Sequence, residues 1–434
     1  MDTIIGLSGT IFMLVLLSFG VPISFALGFT GLVGFAVLWG TSAAISLSII
    51  TAYIKTASFL LACIPLFVLM GQTVFHCGIA KELFSALQIW LSRLPGGLAM
   101  AITTASAGFA SVSGSSSATA ATMGSVALPE LKRYNYSPQL ATGCLAAAGT
   151  LGILIPPSVP MVIYGIMTEQ SIGKLFIAGI IPGLISAGLY MTMIYLRAKR
   201  NPTLAPAGPA FCWKERMRSV RSIWPVVLIF LIVVGGIYFG IFTPTEAAAV
   251  GATVALLVAL GKRKLNKEAL KASMAETTQL SGMILAVVIG SMVFASFIIT
   301  TGVPNALASI VESLDVNRYV ILVVMLLIYL LIGCIMTVIE ILVVTIPLFF
   351  PIVLKLGFDP IWFGIILTKM IEISLITPPI GINCLIIKGV GGEYASTIDV
   401  FKGVTWFFIM DIVTLIILII FPQISLYLPS IMYQ

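Results

Sequence analysis

Charge is scarce in this chain: 9% of its 434 residues are Asp, Glu, Lys or Arg, and there is one histidine, His76. An ordinary soluble domain carries about a quarter charged residues. With 59% hydrophobic residues and a mean hydropathy of +1.15, this surface needs lipid as its solvent, and the chain reads as an all-α polytopic membrane protein. The lone His76 argues against an intramembrane hydrolase, because a nucleophile at Ser113 or Ser115 would lie one crossing away from its only imidazole. His76 itself reads as a hydrogen-bonded residue at the end of a crossing rather than a proton relay. No G-x-x-x-x-G-K-[ST] run is present, which argues against ATP drive within the chain. The six cysteines lack paired or metal-ligand spacing, and Cys63, Cys144, Cys334 and Cys384 lie in apolar runs as small core residues. The net charge of +7 concentrates at Arg197 to Arg221 and Lys262 to Lys271, beside apolar runs. That is the positive-inside pattern of a membrane protein and not a nucleic-acid surface. The run from Ile4 to Phe19 lacks a basic flank and a small-residue cleavage site, so it counts as the first spanning helix.

What the chain does have is a duplicated pattern of helix breakers. Pro22, Pro129, Pro138 and the pair Pro156 and Pro157 recur as Pro244, Pro351, Pro360 and the pair Pro378 and Pro379, all at one offset of 222 residues. Both proline pairs interrupt apolar runs, where a broken helix frees backbone carbonyls and amides at membrane depth. Matched interruptions in two halves are the best sequence pointer to a transporter's binding site. Apolar crossings are predicted over 3–21, 23–39, 57–77, 139–168, 171–196, 224–241, 244–261, 279–300, 361–388 and 405–428, of which 139–168 and 361–388 are broken. Segments 79–94 and 303–316 have helical apolar spacing with polar backs and suit helices lying in the interface. Segments 97–131 and 319–355 are too long for one upright crossing and are interrupted midway. They read as re-entrant hairpins, the competing form being one long kinked helix in each case.

Charge fixes the orientation. The basic loop at Lys262 aligns with uncharged residues 40–45, so equivalent loops face opposite sides. With the basic loops cytoplasmic, 78–96 and 130–138 lie inside and both chain ends outside; the first hairpin enters from the cytoplasm and the second from the opposite face. The predicted fold is therefore two inverted-topology repeats, 1–215 and 216–434, each with a re-entrant hairpin and a broken helix. The expected transport unit is 79–170 plus 303–390, sliding as an elevator against a scaffold of 1–77, 171–301 and 391–434.

At the first tip, Ser111, Ser113, Ser115, Ser116, Ser117 and Thr119 place six hydroxyls within nine residues around Gly114. Hydroxyls and freed carbonyls are hard ligands for Na⁺, and the amides opening the returning helix suit a carboxylate; close helix packing in lipid is the plainer use of small residues. The second half differs at matched positions: Thr337 aligns with Ser115, Thr377 with Ile155, and Glu340 and Asn383 with small or apolar residues. Cation sites are expected at both tips, with substrate between them touching Ser116, Ser117, Thr119, Glu340 and Asn383. Intramembrane charge points to function, so Glu340, Lys369 and Glu372 stand out, although Lys369 and Glu372, three apart, also suit a structural pair. Lys388 is expected to snorkel to the cytoplasmic interface.

The runs Gly114 to Gly124, Ala148 to Ser158, Gly173 to Gly183, Phe242 to Ala249 and Ile376 to Gly381 resemble the large membrane subunit of tripartite ATP-independent periplasmic (TRAP) transporters, and the likeness covers essentially the whole chain. The resemblance implies a multi-pass protein of the bacterial inner membrane that imports an organic acid, such as a C4-dicarboxylate, sialic acid or another sugar acid, on a Na⁺ gradient. It implies a periplasmic substrate-binding protein and a small four-helix membrane subunit as partners, the latter separate because no four-helix stretch precedes Ile4 or follows Leu428. Carried over by region, one Na⁺ site is implied at Ser111, Ser113, Gly114 and Ser115 with Gly152, Ile155 and Pro156. The other is implied at Gly333 and Thr337 with Thr377 and Pro378. A self-sufficient Na⁺/dicarboxylate or citrate carrier of similar inverted-repeat fold is the alternative, and a purely structural subunit fits the polar tips poorly.

Overall fold

The computed structural model describes residues 2–313 and 316–432. Residues 314 and 315 of the second amphipathic segment, and 1, 433 and 434 at the chain ends, lie outside the described residues. Helix breakers set the element boundaries. Asp359 caps Pro360–Ser374 by accepting from the Trp362 amide at 2.9 Å, and Pro138 and Pro360 each open their helix at the position where a missing N–H costs nothing. The Thr243 amide donates to Glu246 Oε2 at 2.8 Å, starting Pro244–Gly261 with a capping box.

The described residues form helices and no strands, and eight helices are long and apolar enough to cross a membrane. The two inverted-topology repeats are visible in the element list: Ser116–Arg133 and Val338–Lys355 correspond residue for residue at the offset of 222. Both long interrupted segments are hairpins, Gly97–Ser113 with Ser116–Arg133 and Arg318–Gly333 with Val338–Lys355. Both predicted breaks occur, between Pro138–Leu154 and Val159–Thr168 and between Pro360–Ser374 and Ile382–Gly391, and both proline pairs contain a cis peptide. The amphipathic helices are Ile79–Leu91 and Val303–Ser313.

Three details differ from the sequence reading. Thr41–Thr56 is a helix, packed on Ile23–Trp39 and Lys267–Thr300, where no crossing was predicted. The crossing expected from 279 begins at Lys267 and runs 34 residues. The predicted crossing 405–428 is Thr397–Ile420 followed by a separate short helix, Gln423–Ile431.

Packing divides the helices into two groups. Ile23–Trp39, Cys63–His76, Pro244–Gly261 and Lys267–Thr300 form one, and the hairpins gather around the broken helices in the other. Ile172–Arg200 and Thr397–Ile420, expected from sequence in the scaffold, pack with the hairpins and broken helices. Glycines allow the close approach: Gly143 and Gly403 face each other across Pro138–Leu154 and Thr397–Ile420 with no room for a side chain between them, and Gly179 of Ile172–Arg200 abuts the Leu154 carbonyl. A Trp362 Nε1–H bond to the Leu418 carbonyl, 2.9 Å, ties the second broken helix to the same partner.

The first amphipathic helix is anchored by charge. Glu82 accepts from both Lys262 and Lys264 at the start of the basic loop. Burial raises the Glu82 pKa, and the two lysines together more than reverse this, leaving it below the usual carboxylate range.

Candidate functional site

The first hairpin turns where Gly114 adopts φ +61°, a left-handed conformation natural to glycine, and Ser115 then starts the returning helix by accepting from the Ala118 amide at 3.4 Å. Ser113 and Thr119 hydroxyls are 2.9 Å apart, and Thr119 donates to the Ser115 carbonyl at 2.7 Å. The tip then docks on the first break. A methyl group at Gly152 would lie 2.6 Å from the Ser115 carbonyl oxygen and 2.8 Å from Thr119 Oγ1, so glycine is required for this approach. The Val159 amide donates to the Gly114 carbonyl at 3.3 Å. Ser113, Gly114, Ser115, Thr119 and Gly152 are thus brought together as an oxygen-rich cluster, with Ile155 and Pro156 buried behind it. Ser111 is not brought to this cluster by any contact: its hydroxyl is bonded to the Gly108 carbonyl at 2.7 Å.

The second tip meets the second break in the same manner: Gly333 abuts Ser374, and Cys334 Sγ–H points to the Pro378 carbonyl at 3.2 Å. It is more open. Thr337 and Pro378 are exposed and Thr377 is half-buried, its hydroxyl bonded to the Ile373 carbonyl. Glu340 accepts from the Thr337 amide at 2.7 Å, capping the returning helix.

Both tips border one cavity of 410 Å³. Its walls carry Ser113 to Ser117 from the first tip, Thr337 from the second, and Gln72 and Glu276 from Cys63–His76 and Lys267–Thr300. Of the residues predicted to meet substrate, Ser116 and Ser117 line it. Thr119, Glu340 and Asn383 do not: Thr119 is within the first cluster, Glu340 caps its helix, and Asn383 donates to Ser116 Oγ at 2.8 Å and the Ala146 carbonyl at 3.2 Å. Asn383 therefore joins the second broken helix to the first tip.

Sequence reasoning missed Gln72 and Glu276. Glu276 lies just before the predicted crossing that began at 279, in what read as loop, and the true helix start at Lys267 brings it onto the cavity wall. It also sits 3.2 Å from His76 Nε2, so the lone histidine has an acidic neighbour at the cavity's edge. Lys388 is exposed at its nitrogen and donates to the Gly392 carbonyl.

Comparison with known proteins fits this geometry. Residues 10–424 match the family model described as "Tripartite ATP-independent periplasmic transporter, DctM component". The chain belongs to this family. Among its relatives, the C4-dicarboxylate TRAP transporter large permease DctM of Pseudomonas aeruginosa is 38% identical over 374 residues, covering 86% of each chain. The ectoine/5-hydroxyectoine TRAP transporter large permease UehC of Ruegeria pomeroyi is 32% identical over 99% of this chain and 100% of its own. The crystal structure of the YdaH transporter of Alcanivorax borkumensis superposes with a TM-score of 0.64 at 13% identity, covering 90% of this chain and 89% of that one, which shows a shared fold. As a TRAP DctM component the chain is a transporter permease, not an enzyme, and a multi-pass membrane protein.

Proposed function

We propose that this permease imports an organic acid across the bacterial inner membrane by Na⁺ symport, receiving it from a periplasmic binding protein and working beside a small four-helix membrane subunit. The observation that carries the reading is the convergence of both hairpin tips, with the hydroxyls of Ser113, Ser115, Ser116, Ser117 and Thr337, on one otherwise largely apolar cavity. The oxygen cluster of Ser113, Gly114, Ser115, Thr119 and Gly152 suits one Na⁺, and the more open second tip at Gly333, Thr337, Thr377 and Pro378 suits another. The amides that open Ser116–Arg133 and Val338–Lys355 face the same space and favour a carboxylate. Relatives named for C4-dicarboxylates and for ectoine share that one group, which supports the class of substrate without selecting a member.

The motion proposed is an elevator. The moving unit comprises both hairpins, both broken helices and the two helices packed on them, Ile172–Arg200 and Thr397–Ile420. Opening irregular backbone to lipid is costly, so a closed core is better translated whole than unfolded at its tips. Helices Ile79–Leu91 and Val303–Ser313 would link it to the scaffold at opposite faces.

Uptake of a radiolabelled organic acid into proteoliposomes should require the permease, the small subunit and the loaded binding protein together. Uptake by the permease alone, at the rate of the full set, would favour the self-sufficient carrier instead.

A further inference from the structure

Away from the cavity lies a buried charged cluster, none of whose side chains lines it. Lys369 Nζ donates to Glu372 Oε2 at 2.8 Å, to Asp411 Oδ1 at 2.6 Å and to Ser186 Oγ at 3.1 Å. Tyr190 donates its hydroxyl to the same Asp411 Oδ1 at 2.6 Å. Lys369, Glu372, Asp411 and Tyr190 all have 0% exposure. The cluster holds the second broken helix, Ile172–Arg200 and Thr397–Ile420 together, so it lies wholly within the proposed moving unit.

Its charges do not balance. Two ionised carboxylates against one ammonium leave one negative charge sealed from water, and an unpaired buried charge is among the most expensive features a membrane interior can hold. The hydrogen bonding is short in the same sense: Glu372 Oε1 and Asp411 Oδ2 are buried acceptors without a donor. Among the described residues no other ionisable group supplies the missing positive charge. Pro138–Leu154 brings only Thr150, beside the Tyr190 hydroxyl. Tyr164 of Val159–Thr168 donates to the Pro360 carbonyl, Tyr329 of Arg318–Gly333 packs its ring on Phe349, and Glu340, Lys355 and Tyr427 lie nearer the surface of their helices.

We propose that the cluster is a proton-binding site, with one proton on Glu372 while Lys369 and Asp411 remain an ion pair. The assignment follows the donors: Asp411 receives two through one oxygen, as a carboxylate does, whereas Glu372 receives one. Forming an O–H bond at Glu372 Oε1 takes the cluster from one net negative charge to none and converts an acceptor without a donor into a donor. Both carboxyl groups contact the same ammonium, and Asp411 Oδ2 is a second buried acceptor without a donor. The bound proton makes the interior of the moving unit neutral, whichever solute is carried.

Infrared difference spectroscopy on the reconstituted permease at neutral pH tests this without relying on transport. The wild type should show the carbonyl stretch of a protonated, slowly exchanging carboxyl group, and Glu372→Gln should lose it. Because glutamine mimics the neutral acid, Glu372→Gln should melt within a few degrees of wild type, while Asp411→Asn should also lose the band, since Glu372 then ionises to pair with Lys369. Absence of the wild-type band, its persistence in Glu372→Gln or in Asp411→Asn, or failure of Glu372→Gln to fold, would each overturn the assignment. A missing band together with melting that depends on Na⁺ and is lost in Glu372→Gln would give the place to a metal cation.

Discussion

A crosslink joining helix Cys63–His76 to helix Gly97–Ser113 should abolish uptake. The two helices meet tip to wall: a methyl group at Gly71 would lie 2.9 Å from the Ser113 Cα, so this contact is where the scaffold touches the first hairpin. If the hairpin travels with its unit, the contact must slide in every cycle, and a covalent bond across it stops transport outright. A matched pair replacing Gln139 and Asp399, whose side chains hydrogen-bond at 3.2 Å within the proposed unit, should spare most activity. Both pairs belong in a background lacking the six native cysteines. Full uptake with the first crosslink complete would replace the elevator by local gating at the tips.

Gly114→Val should be nearly as damaging. A β-branched residue at φ +61° carries left-handed strain of about 1–2 kcal/mol, and its Cβ would stand 2.8 Å from the Pro157 carbonyl oxygen, a backbone atom that cannot swing away. Displacing the Ser113 and Ser115 oxygens should weaken the apparent Na⁺ affinity by about tenfold or more, a loss of about 1.4 kcal/mol of binding free energy. Gly188→Val is the control, because nothing lies within 4 Å of a Cβ at that exposed position. Equal Na⁺ dependence in the two variants would remove the first tip from the cation site.

Much of this architecture is legible in sequence because proline acts locally. Pro138, Pro156, Pro360 and Pro378 interrupt or open helices through the missing N–H, whatever surrounds them, and their duplication shows the repeat. The tips are legible for a similar reason, since Gly114 and its hydroxyl neighbours form a dense local pattern. Asp411 was not legible. It is a lone acid in an apolar run, its repeat counterpart is Leu189, and only the fold brings it to Lys369. Glu276 was hidden by a boundary, because the polar opening turns of Lys267–Thr300 read as loop until packing shows that the helix runs through them. The packing of Ile172–Arg200 and Thr397–Ile420 on the hairpins and broken helices was hidden for another reason, because contacts such as Gly143 against Gly403 are distant in sequence and outside the repeat register. Thr41–Thr56 escaped because its counterpart in the other half is part of the unbroken helix Lys267–Thr300, so the doubled pattern gives no separate element there.

The central claim is that ions held at the tips drive the import of an organic acid. Its most direct test is initial-rate uptake by the reconstituted three-part system, with an inward Na⁺ gradient compared with K⁺ or choline at fixed pH and membrane potential. The account predicts that uptake falls to the passive leak when Na⁺ is replaced, and that Ser115→Ala and Thr337→Ala each shift the Na⁺ concentration for half-maximal rate upward. Uptake that is unchanged by the replacement would contradict it.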